Sequence, residues 1–169
     1  MPFIELAIGW MVLVDVAAWL FFHLLLSYGA SLLPFHSFER RGRLFQSFRF
    51  ERHGELWQQL FRIKAWKGKL PDGAMIFKSA YNKKALHGND AASLAEFLVE
   101  SRRAEFTHWV LLMPLPLFLL WNPPLAFWLN AAYAILFNLP FILAQRYNRP
   151  RLERLIQLKQ NKSRAITNR

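Results

Sequence analysis

The 169-residue chain contains no cysteine, so disulfides, thiol nucleophiles and zinc sites built on thiolate are excluded. It also lacks a Gly-rich phosphate loop, a G-x-S-x-G elbow and a paired-acid motif, which points away from a covalent serine intermediate. Lys and Arg are missing from two long stretches, Met1 to Phe38 and Ala104 to Gln145. All 22 of them fall in two blocks, 14 between Arg40 and Arg103 and 8 between Arg146 and Arg169. A formal net charge of +11 would suggest nucleic acid if it were spread evenly; segregation between apolar blocks instead marks the flanks of membrane segments, with membrane lipid as partner and no nucleic acid.

What is present is apolar and aromatic: 54% hydrophobic residues, 16% of the chain aromatic. That is too apolar for an ordinary soluble basic domain. The expected fold class is an all-α membrane protein, a single integral membrane domain of about three membrane segments. Residues 3–33 are long enough for one transmembrane helix. A signal peptide would want a basic n-region, and the start MPFIELAIGW has none, so a retained helix is expected. It carries Asp15 and His23, ionisable groups that are costly in hydrocarbon.

Residues 106–144 are too long for one crossing and are broken at 121–125 by WNPPL, strong turn chemistry. They predict a helical hairpin whose first arm, with Pro114 and Pro116, is kinked; a re-entrant hairpin is the alternative to a full span. Counting cations places residues 35–103 and the tail 146–169 in the cytoplasm, and the N-terminus and the WNPPL turn outside, in a multi-pass cell-membrane protein.

Residues 35–103 are neither repetitive nor of low complexity. Phe45 to Trp66 alternate aromatic and leucine residues with Arg, Lys and Gln, as expected of amphipathic segments capping the membrane at headgroup level. KLPDG, Lys69 to Gly73, signals a turn, and a helix then starts near Asn89, Asp90 or Ser93 and continues toward the apolar run. On it Glu105 and His108 stand i, i+3 on one face.

Three segments, FQSFRFERHGELWQQLFRIKAWKGKLPDG (Phe45 to Gly73), ESRRAEFTHW (Glu100 to Trp109) and NLPFILAQRYNRPRLERL (Asn138 to Leu155), resemble the CrtO-type glycosyl-4,4'-diaponeurosporenoate acyltransferases of carotenoid biosynthesis. The similarity spans roughly Phe45 to Lys162 in the same order; the stretches before Phe45 and within Ala74 to Ala92 depart from it. The resemblance implies transfer of a fatty acyl chain to a sugar hydroxyl of a glycosylated carotenoid or related glycolipid. No bound cofactor is expected, with acyl-CoA or acyl carrier protein as thioester donor.

Such chemistry needs a base for the hydroxyl proton, a donor for the oxyanion and a grip on the donor's phosphates. His108 is the candidate base, with Glu105 accepting its other ring N–H, and His53 is the competitor. Arg146, Asn148 and Arg149 are candidate substrate-binding residues, with Pro150 expected to impose a turn that holds them near the site. Lys64, Trp66, Lys67, Lys69 and Asp72 could cradle the donor, or the lysines could merely snorkel. Two other readings stay open: a metal site using Glu105, His108 and His53 with Asp72 as spare carboxylate, and a non-enzymatic scaffold that binds anionic lipid.

Overall fold

The computed structural model describes residues 2–39, 42–70 and 90–167. The turn expected at KLPDG and the candidate Asp72 lie largely outside these residues. Five α-helices account for most of the described chain: α1 (Ile8–Leu32), α2 (Glu55–Phe61), α3 (Ile63–Trp66), α4 (Ala91–Val110) and α5 (Pro124–Thr167). The all-α expectation holds among the described residues.

The helix α4 starts where its cap predicts, the Asp90 carboxylate accepting the backbone N–H of Ser93 at 2.7 Å. It runs without a break past Glu105 and His108. It packs antiparallel to α5. Leu94 and Leu98 meet Leu152 and Ile156 at one end, Ser101 donates to Gln145 in the middle, and His108 reaches Asn138 at the other.

The hairpin is less symmetric than expected. Beyond Val110 the first arm leaves α geometry for turns and a short 3-10 helix at Leu115–Leu120, because Pro114 and Pro116 withhold two N–H groups within three residues. The second arm is one helix of 44 residues, about 66 Å at the usual rise. It begins with Pro124 in the WNPPL turn, as expected, and runs straight through Pro140 and Pro150. No turn occurs at Pro150, and no helix break separates residues 106–144 from 146–169.

Two helices are long and apolar enough to cross a membrane, Ile8–Leu32 and Pro124–Ala165. Helix α1 is apolar nearly all round, and Leu13, Val16, Leu20 and Leu24 on it are exposed, which in a helix of this composition suits lipid contact. Its inward line is ordered by a polar node. The Asp15 carboxylate accepts N–H groups from Trp121, Asn122 and Asn130 at 2.7–2.9 Å, and Trp19 donates to Asn130 at 2.7 Å while stacking on Phe118. The backbone N–H of Ile4 donates to the Leu120 carbonyl, while Arg103 donates to the Leu33 carbonyl. The N-terminus and the WNPPL turn therefore share one end of the molecule, and the end of α1 lies beside the basic residues at the other.

Candidate functional site

The segment ahead of α2 reverses sharply. Arg52 and His53 take left-handed backbone angles, φ 47° and 56°, and Gly54 follows at φ 85°. Only glycine adopts this region without strain. The reversal turns Glu51 inward, where it is 1% exposed, and leaves His53 exposed. Gly54 lies directly against α5, so close that an added Cβ would stand 3.0 Å from the Arg146 carbonyl oxygen.

Glu51 accepts the backbone N–H of Phe48 at 2.8 Å, Trp57 Nε1–H at 3.1 Å and Arg146 Nε–H at 2.6 Å. Arg146 then bridges to Glu105 through Nη1 at 2.8 Å. Glu105, 0% exposed, also accepts from Arg149 Nη1 and, at 3.4 Å, from Trp109 Nε1. Two carboxylates and two guanidiniums thus cancel within one buried cluster that ties the segment before α2 to α4 and α5. Phe48 lies under the Arg146 guanidinium and Phe45 under that of Arg149. Desolvation of such groups is offset only when each charge meets its partner. Of the two arginines in this cluster, only Arg149 keeps spare donors: its Nε and Nη2 are buried and have no partner among the described residues.

His108 stands one turn further along α4, but its Nδ1 faces Asn138 rather than Glu105. The separation from Asn138 Oδ1 is 2.9 Å, and the ring stacks on Phe141 at 4.3 Å. Asn138, fully buried, donates its own Nδ2–H to the Ala134 carbonyl at 2.9 Å. That bond orients the amide with its oxygen toward the imidazole. Nδ1 is then the donor, and the tautomer places the basic lone pair on Nε2. The expected Glu105–His108 partnership is thereby replaced, since the Glu105 oxygens are taken by arginines and Trp109.

The remaining candidates gather elsewhere. Lys67 Nζ donates to Asn148 Oδ1 at 2.6 Å and lies 5.0 Å from the Tyr147 ring centre. Trp66 packs beside Ile63, Leu143 and Tyr147, and Lys64 and Lys69 are exposed nearby in sequence. Tyr147 follows Asn138 by nine residues, half a revolution round α5, so this group occupies the opposite face of the helix from His108. Among the described residues no group of three or more His, Asp and Glu side chains could hold a metal ion; Glu105, His108 and His53 do not form one.

Glu51 and Asn138 were not singled out from the sequence. Asn138 carried a signal, a lone amide in the apolar run LFNLPF. Glu51 carried none, because the left-handed residues that turn it inward are not written in the residue types Arg52 and His53.

The fold and the charge cluster describe a helical protein with a polar site between two antiparallel helices, and comparison with known sequences makes the class an acyltransferase of carotenoid biosynthesis. The family model for glycosyl-4,4'-diaponeurosporenoate acyltransferase, CrtO, matches residues 41–158. Proteins of that name from Staphylococcus aureus are similar: 33% identity over 140 residues in strain bovine RF122 / ET3-1, covering 83% of this chain and 84% of the relative. In strain Newman the figure is 33% over 144 residues, covering 85% and 87%. The chain belongs to the glycosyl-4,4'-diaponeurosporenoate acyltransferase family. No solved structure matches.

Proposed function

We propose that the chain transfers a fatty acyl group from a thioester donor, acyl-CoA or acyl carrier protein, to a sugar hydroxyl of a glycosylated carotenoid or related glycolipid at the membrane surface. His108 is the general base. The single observation that carries this assignment is the Ala134–Asn138–His108 relay, which presets the imidazole as an acceptor at Nε2. His108 Nε2 removes the hydroxyl proton as the oxygen attacks the thioester carbonyl. The tetrahedral oxyanion collapses with loss of thiolate, which receives the proton back from His108. Glu105 and Arg146 act by holding Arg149 and α4 in place.

The site lies at the edge of the apolar helices for a physical reason. The acyl chain and polyene remain in lipid while the polar groups react, and a base at this depth costs less than one at mid-bilayer. The topology we infer has the N-terminus and WNPPL turn outside and the basic segments in the cytoplasm, with α1 and α5 crossing and the chain from the end of α4 through the Leu115–Leu120 arm making the return crossing between them.

Acyl transfer by folded, purified variants tests the assignment. His108→Gln should lower kcat about 10²–10⁴-fold. Asn138→Asp should retain activity but move the rise of kcat/KM with pH to higher pH, because an adjacent carboxylate stabilises the imidazolium, which cannot act as base. Near-normal transfer by His108→Gln, with loss in His53→Ala, would make His53 the base instead.

A further inference from the structure

On the face of α5 away from His108, two cations meet at the Tyr147 ring with a third beside them, and no anion among the described residues pairs with them. Arg151 lies over the Tyr147 ring at 3.7 Å from its centre, and Lys67 approaches the same ring while donating to Asn148. Arg151 also donates through Nη1 to the Tyr147 carbonyl at 2.6 Å, which holds its guanidinium down on α5. Lys64, one turn before Lys67, is close enough to repel it. Among the described residues, no carboxylate pairs with Lys64, Lys67 or Arg151, although the charge cluster a turn away satisfies every carboxylate it holds. Like charges gathered at a half-buried place raise the energy of the empty protein. An incoming anion lowers it.

The surroundings narrow the anion's source. Leu60 and Phe61 on α2 are exposed, at 62% and 45%. Trp57 and Trp66 are partly buried against Ile63, Leu143 and Tyr147, so indole and apolar surface adjoin the cations. Such a juxtaposition is what an interfacial segment presents at headgroup level. We propose that Lys67 and Arg151, with Lys64 at the rim, form a binding site for the phosphate of an anionic phospholipid headgroup, seating the α2–α3 segment on the membrane surface. Burial first, then Arg151 and Lys64, hold the Lys67 ammonium below the ordinary lysine range, the direction expected of a cation awaiting a counter-ion. The half-turn separation from Asn138 makes this site distinct from the one at His108.

Purified full-length protein in a zwitterionic detergent, titrated with phosphatidylglycerol and followed by native mass spectrometry, tests the proposal. Phosphatidylglycerol should be retained and phosphatidylcholine should not. Lys67→Gln and Arg151→Gln should each weaken retention at least about tenfold, as expected for a lost charge-assisted contact, whereas Lys67→Arg should keep it. Arg154→Gln, which removes an exposed cation from the same helix, should leave it unchanged; equal loss in that variant would reduce the effect to diffuse charge and overturn the site. Coenzyme A is the competing probe. If it binds through Lys67 and Arg151 and displaces the lipid, the site belongs to the acyl donor and the headgroup assignment fails. His108→Gln should lose transfer yet keep phosphatidylglycerol, so the two assignments stand or fall separately.

Discussion

Glu105 joins two arginines from α5 inside a cluster that also contains Glu51, and its removal leaves positive charge with no solvent to receive it. Glu105→Gln should therefore destabilise the protein by about 3–5 kcal/mol, the usual cost of breaking a buried ion pair from one side. Denaturation of the detergent-solubilised protein measures this. Replacing Glu105 and Arg149 together by leucine should recover most of the loss, because no lone charge then remains. At this scale the sequence was legible by residue type and blind to partnership. Glu105, His108, Arg146 and Arg149 are polar groups in apolar surroundings and stood out as such. Which of them meet depends on the antiparallel register of α4 and α5, set by contacts more than 40 residues apart in sequence. The pairing of His108 with Asn138 rather than Glu105 is a consequence of that register.

Helix α5 passes through two prolines because each missing bond is tolerated locally. Pro150 has no N–H for the Arg146 carbonyl, and Gly54 occupies the space beside that same oxygen. A side chain there would meet backbone on α5, which cannot move aside. Gly54→Ala should cost about 1–2 kcal/mol from its left-handed backbone alone, and more with the close contact added. A thermal melt against wild type, with Pro150→Ala as a tolerated comparison, checks it. Element types were readable from apolar periodicity, the Asp90 cap and the WNPPL turn. The end of α5 was not, since a proline reads as a turn unless the tertiary neighbour of the freed carbonyl is known.

For the molecule as a whole, the absence of native cysteine makes single-cysteine mapping unambiguous. Phe3→Cys and Leu125→Cys occupy exposed positions at the end that holds the N-terminus and the WNPPL turn. Ser47→Cys and Gln160→Cys are exposed on the basic segments. An impermeant thiol reagent applied to intact cells should label the first pair and spare the second; the reverse pattern would invert the topology. Asn122, buried against Asp15, is unsuited to the purpose. The grouping of these ends was legible because charge segregation reports it directly. The unequal arms of the hairpin were less so, because apolar composition alone cannot tell a spanning helix from a short one that is covered by its neighbours.

The unbroken α5 is also a ruler. Asn138 and Arg149 are eleven residues apart on one rigid rod, about 16 Å along its axis and in nearly the same rotational phase. A thinner or thicker bilayer cannot stretch or compress that interval; it can only tilt the rod or pucker around it. Lipid chain length should thus alter how the molecule leans and how readily amphiphiles enter, while the spacing of its polar groups stays constant. On the proposed topology, the protein would set the depth of its polar groups and the membrane would adjust to meet them.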